Sequence, residues 1–91
     1  MHVIYWNELA IKDLISIGTH IASGSPANAA KLIHLIEGKV KPLADYPFRG
    51  HEGRKSGTRE LLVHKHYVVV YRVLKEKVEI LRVKHTAQQW P

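Results

Sequence analysis

The sequence predicts a two-layer α+β domain of order βααβββ, a helical hairpin packed on a small, mainly antiparallel sheet. Three observations carry this reading: an aromatic and β-branched segment at the start, two stretches of helical apolar spacing, and three short apolar runs divided by polar breaks. A helical hairpin that is apolar on one side has only the sheet to bury against.

The first strand is residues 2–6, where Val3, Ile4, Tyr5 and Trp6 suit a pleated, half-buried segment. Trp6, a large aromatic at a strand-to-helix junction, is expected between the layers. Asn7 then offers an N-cap, and Ala10, Leu14, Ile17 and Ile21 lay one apolar stripe along a helix over residues 8–22. Lys12, Asp13, Ser16 and His20 mostly fall off that stripe. Ser23-Gly24 interrupts the helix, and Ser25-Pro26 starts a second one with a cap and a proline at the first helical position. Its apolar face is Ala29, Leu32, Ile33, Ile36, Val40 and Leu43, in spite of Gly38.

Residues 44–57 read as a long basic loop, in which Pro47, Gly50, Gly53 and Gly57 alternate with Arg49, His51, Arg54 and Lys55. Three strands follow at 58–64, 66–74 and 77–85, joined by tight hairpins. The middle one, Tyr67 to Tyr71, is apolar on both alternating sets, as a central strand covered on both faces should be. Tyr67 and Tyr71 share one face and are expected in the core with their hydroxyls hydrogen-bonded.

Bulk properties bound the function. Residues 1–91 are enough for one domain, and 45% apolar residues make a core possible without staples. The absence of cysteine excludes disulfides and thiolate metal sites. His64 and His66 form a pair at adjoining strand ends without a third ligand nearby, so no metal and no cofactor is expected. No apolar run approaches the roughly 20 residues of a membrane span, and no secretory pattern opens the chain, so the expected location is the cytoplasm. The net charge of +6 favours polyanions or an acidic protein partner. Direct sequence-specific DNA reading is disfavoured, because the first helix carries only Lys12 and the second only Lys31, Lys39 and Lys41.

The spacing of Trp6, Ala10, Asp13-Leu14, Ile17, Ile21-Ala22, Ser25-Pro26 and Ala29-Ala30 resembles the opening of ParE-type plasmid-stabilisation toxins. Leu43, Pro47, Gly50, Gly53-Arg54, Gly57 to Leu61 and Tyr67 to Val73 are similar to that family's middle in order and spacing. Val78 to Val83 with His85, Gln88, Trp90 and Pro91 looks like its ending. The resemblance spans nearly the whole chain and implies the RelE/ParE superfamily, with the same βααβββ fold. It further implies a growth-inhibiting bacterial toxin of a type II toxin–antitoxin pair, neutralised by a small cognate antitoxin. An acidic antitoxin tail that folds on binding would match the positive charge.

Two activities occur in that superfamily: poisoning of DNA gyrase, and cleavage of messenger RNA on the ribosome. Ribosome-dependent relatives typically carry an arginine after the tyrosine that opens the middle C-terminal strand, and basic residues behind the last strand. Here those positions hold Val68 and Thr86, Ala87, Gln88 and Gln89, which favours gyrase inhibition. The alternative, an mRNA endoribonuclease, rests on His85, where some nuclease relatives place a catalytic histidine able to act as general acid. Arg49, Arg54, Arg59, Arg72, Arg82, Gln88 and Trp90 are the expected contacts to target or antitoxin. Arg59, Arg72, Arg82 and Lys84 would also supply charge to a nuclease site, although strand alternation sets Arg82 and Lys84 opposite His85 unless a bulge intervenes.

Overall fold

The computed structural model describes residues 1–88. Strand β1 (Val3–Trp6) leads into helix α1 (Glu8–Ala22), helix α2 (Pro26–Val40), strand β2 (His51–Glu52) and a run of three strands, β3 (Arg59–His64), β4 (Tyr67–Val73) and β5 (Lys77–His85). Both helices begin as their caps predict. The Asn7 side chain accepts from the Ala10 N–H at 2.9 Å, and the Ser25 hydroxyl accepts from the Asn28 N–H at 3.2 Å.

The end of α2 differs from expectation. Helix α2 stops at Val40, and Leu43 lies in a following 3-10 turn, Lys41–Ala44. Pro42 has no N–H to continue the helical ladder, so the chain tightens there, yet Val40 and Leu43 both remain buried. The basic loop also contains the two-residue β2, which pairs antiparallel with Arg59 and Glu60. Two residues between Gly50 and Gly53 carry no alternation that a sequence pattern would register.

The sheet order is β1-β5-β4-β3-β2, antiparallel except for the parallel β1–β5 pair. The helices cover one face. Ala10 of α1 and Leu32, Ile36 and Val40 of α2 meet Val63, Val69, Tyr71, Val78, Ile80 and Val83 in one core cluster, with Trp6, Leu14, Ile17 and Ile21 packed against it. Strand β4 is central, and Val68, Val69, Val70 and Tyr71 are all buried.

A bulge positions the end of β5. Tyr71 faces Ile80, but Val70 faces Arg82, so Leu81 is an extra residue. The buried positions of β5 accordingly run Val78, Ile80, then Val83. Strict alternation from Ile80 would have turned Arg82 and Lys84 towards the helices. The bulge turns Val83 and His85 there instead, and brings His85 opposite Tyr67.

Candidate functional site

Two regions gather the residues that chemistry singles out: the long loop before β3, and the end of the sheet where β3, β4 and β5 meet the helical hairpin.

The loop is held by the sheet beneath it. The Tyr71 hydroxyl, fully buried, donates to the Pro47 carbonyl at 2.8 Å and accepts from the Gly50 N–H at 2.9 Å. Gly50 is obligatory at this approach, because a Cβ there would lie 2.7 Å from the Glu60 carbonyl oxygen and 2.8 Å from the Tyr71 hydroxyl. Arg59 donates through its guanidinium to the Gly50 and Phe48 carbonyls and lies over the Phe48 ring. Glu60, only 3% exposed, accepts from the Arg54 N–H at 2.9 Å and pairs with its guanidinium at 3.4 Å. Arg49 is exposed and sits over the Tyr46 ring, 5.4 Å from its centroid. The loop therefore presents Tyr46, Phe48 and Arg49 on a fixed frame, with Arg59 and Arg54 largely forming that frame.

The other predicted arginines lie apart from it. Arg72 pairs with Glu79 at 2.7 Å. Arg82 makes two hydrogen bonds to the Asp13 carboxylate, at 2.8 and 3.0 Å, and that carboxylate also accepts the Val83 N–H at 2.9 Å. Asp13 thus stands in for a neighbouring strand where β5 runs on past the end of β1. Its hydrogen bond holds the Arg82 guanidinium more firmly protonated than usual, against partial desolvation.

At the sheet end, the β3–β4 hairpin and the tip of β5 bring four rings together. His66 stacks on His85 with centroids 5.4 Å apart, and Tyr67 meets His85 edge-on at 5.4 Å. His64 lies 5.6 Å from His66 and 5.9 Å from Tyr67. Backbone donors fix two of the imidazoles: His64 Nδ1 accepts from the His66 N–H, and His85 Nδ1 from the Ala87 N–H. Each therefore keeps Nε2 for exchange with solvent or a ligand. Neighbouring groups strip part of the hydration of His66, and Lys65, His85 and His64 add positive charge beside it, so its imidazole titrates below the ordinary range. Gln88 braces the cluster by accepting the His85 N–H at 2.7 Å. Among the described residues, no group of three or more His, Asp or Glu side chains is arranged to hold a metal ion.

From the sequence, His85 and Gln88 are candidate site residues and His64 and His66 a pair at adjoining strand ends; that the two pairs come together is shown only by the fold. The signal lay in the spacing of Val78, Ile80 and Val83, whose shift from two to three marks the bulge that places His85 opposite Tyr67. Trp90, also expected in a contact, lies outside the described residues.

With this geometry in place, comparison with known proteins is decisive. The model of the ParE toxin of the type II toxin–antitoxin system parDE matches residues 4–90. The chain belongs to the ParE family of type II toxins, within the RelE/ParE superfamily. This toxin is 42% identical to toxin Y4kP of Sinorhizobium fredii over 97% of its own length and 92% of that protein's. It is 33% identical to toxin RelE2 of Caulobacter vibrioides, over 97% and 99% of the two chains. A solved chain of the chromosomal ParDE toxin–antitoxin system from P. aeruginosa superposes with a TM-score of 0.83 at 28% identity, covering 93% of this toxin and 96% of that chain. In this chain the loop frame gives Gly50, Arg59 and Glu60 a definite structural task, and the edge of β5 gives one to Asp13.

Proposed function

We propose that this toxin arrests growth by poisoning DNA gyrase and blocking replication, and that its one domain, residues 1–91, works in the bacterial cytoplasm without a cofactor and is neutralised by a cognate antitoxin. In this reading it belongs to a pair of the plasmid-stabilisation type. The observation that carries it is the dispersal of the guanidinium groups. RNA cleavage needs cations converging on one phosphate beside a proton donor and acceptor. Here Arg82 is committed to Asp13, Arg72 to Glu79, Arg54 to Glu60 and Arg59 to loop carbonyls. Arg72 is also five residues along β4 from Tyr67, about 17 Å at strand spacing. What remains is a rigid, cationic body that presents aromatic and arginine side chains from a fixed loop, a surface suited to gripping a large partner. The likeness to a chain of a ParDE toxin–antitoxin system supports the antitoxin partnership.

The test is to mix purified toxin with gyrase, ATP and plasmid. Inhibited supercoiling with trapped linear DNA is expected, and unaffected gyrase would reject the reading.

A second reading, ribosome-dependent cleavage of mRNA, is favoured by one observation, the contact of Tyr67, His66 and His85. These rings offer a proton donor and acceptor side by side, and the identity to a RelE-named toxin agrees. Under this reading His85→Ala abolishes toxicity while the protein stays folded. Undiminished toxicity would remove His85 as a general acid.

A further inference from the structure

Phe48, the only phenylalanine of the chain, is 65% exposed, and Tyr46 beside it is 62% exposed. The backbone beneath these two rings is pinned at almost every step. The Tyr46 N–H donates to the Pro42 carbonyl at 2.9 Å, and the Tyr46 carbonyl accepts the Arg49 N–H at 3.1 Å. The Pro47 carbonyl is held by the Tyr71 hydroxyl and the Phe48 carbonyl by Arg59, at 2.8 and 3.2 Å. A backbone so fixed cannot fold its rings inward, and it offers them to a partner with little ordering still to lose.

We infer that residues 45–49 form a stacking platform for the unpaired bases of single-stranded DNA. The choice of DNA rests on the gyrase reading above and deepens it: the toxin itself touches a strand opened in the target complex. Tyr46 and Phe48 line one shallow cleft with Pro47 between them in sequence, and Asp45 and Arg49 complete it. Stacking needs flat π-faces, and no branched aliphatic side chain, the usual wall of a pocket for a protein's Leu or Ile, is among the described residues of this lining. A guanidinium lies over each ring, Arg49 at 5.4 Å from the Tyr46 centroid and Arg59 at 5.3 Å from that of Phe48. These cations offset the negative charge of the π-faces and so lessen their repulsion of the π-face of a base. Arg49 is exposed and can donate to a phosphate, while Lys55 in the same loop and the net charge of +6 draw the strand in. Asp45, the one carboxylate among the described residues of the cleft, can accept from the amino edge of a base. Stacking of this kind is tolerant of sequence, in keeping with helices that carry no basic reading face.

The experiment is anisotropy titration of a labelled DNA strand of about 12 bases with the full-length toxin over a series of salt concentrations. The variants are Tyr46→Ala with Phe48→Ala, the ring-keeping pair Tyr46→Phe with Phe48→Tyr, Arg49→Gln, and Lys31→Gln, which removes a charge on α2. All five positions are exposed, so the core is spared, which thermal melts verify. The alanine pair should lose about tenfold or more in affinity at every salt concentration, and the ring-keeping pair should bind as wild type. Arg49→Gln should lower the slope of log affinity against log salt by about one, with a smaller effect from Lys31→Gln. Equal affinity of wild type and the alanine pair overturns the proposal even where gyrase is inhibited. Duplex DNA bound as tightly, with the same sensitivity to the alanine pair, overturns it too, as does binding of an RNA strand but not of DNA. If the alanine pair weakens capture of gyrase free of DNA and leaves strand binding intact, the loop is a protein anchor and the proposal fails. Gyrase unaffected by wild-type toxin, with strand binding still dependent on the two rings, rejects the gyrase reading and keeps the platform.

Discussion

Tyr71 shows how one side chain organises a loop. Its hydroxyl serves two backbone groups of a segment more than twenty residues earlier, and its ring is in the core. Tyr71→Phe keeps the ring and leaves the Gly50 N–H and Pro47 carbonyl without that partner. We expect a loss of about 2 kcal/mol, seen as a lower urea midpoint at unchanged slope. The glycines divide in the same manner. Nothing lies within 4 Å of a Cβ placed on Gly38, so Gly38→Ala should stabilise the protein by about 0.5–1 kcal/mol through helix propensity. Gly50→Ala, driven against Glu60 and Tyr71, should destabilise it by more than that, and a pair of thermal melts checks both signs. The alternation of β4 made Tyr71 readable as a core residue with a satisfied hydroxyl. Its partners were not readable, because they belong to an irregular loop whose path no periodicity encodes. The arginines illustrate the same limit: composition supplied their charge, and only the fold shows that Arg82 faces Asp13 and Arg72 faces Glu79.

At the scale of elements, both helices, the three C-terminal strands and the opening strand were legible, since apolar spacing and caps agree in each. Two departures have local causes: Pro42 ends α2 early, and β2 is too short to show a pattern. The bulge at Leu81 was visible in principle, as the step from Ile80 to Val83, and it decides which side chains reach the sheet end. Strand β5 extends beyond β1, so its outer edge would present bare backbone donors there. Asp13 covers the Val83 N–H and Gln88 the His85 N–H. Asp13→Ala removes the first cover and the partner of Arg82. It should cost about 1–3 kcal/mol and speed amide exchange at Val83, and the uncovered edge should promote self-association, measured by light scattering. Wild-type exchange rates and a monodisperse variant would show that Asp13 has no such task.

For the molecule as a whole, charge and titration set the response to conditions. His66 titrates below its usual 6.5, so the folded state binds protons less readily than the unfolded chain. The stability it contributes is present above about pH 6.5 and is lost as pH falls through the lowered value. The melting temperature should therefore decline on acidification below that point, and His66→Gln should flatten the decline; an unchanged acid limb in the variant would assign it to other groups. One feature of the architecture also bears on how the toxin is made. Strand β1 lies at the sheet edge beside β5, Val3 against Lys77 and Trp6 against Ile80, so the domain's opening strand docks on the last strand of its sheet to be synthesised. At about 5–20 residues per second of translation, the opening strand waits on the order of seconds for its partner to be made. A chain terminated before β5 has neither the strand that β1 needs nor the edge that Asp13 covers, so interrupted synthesis releases no finished poison. An antitoxin already present has that same interval to meet the chain before the sheet closes.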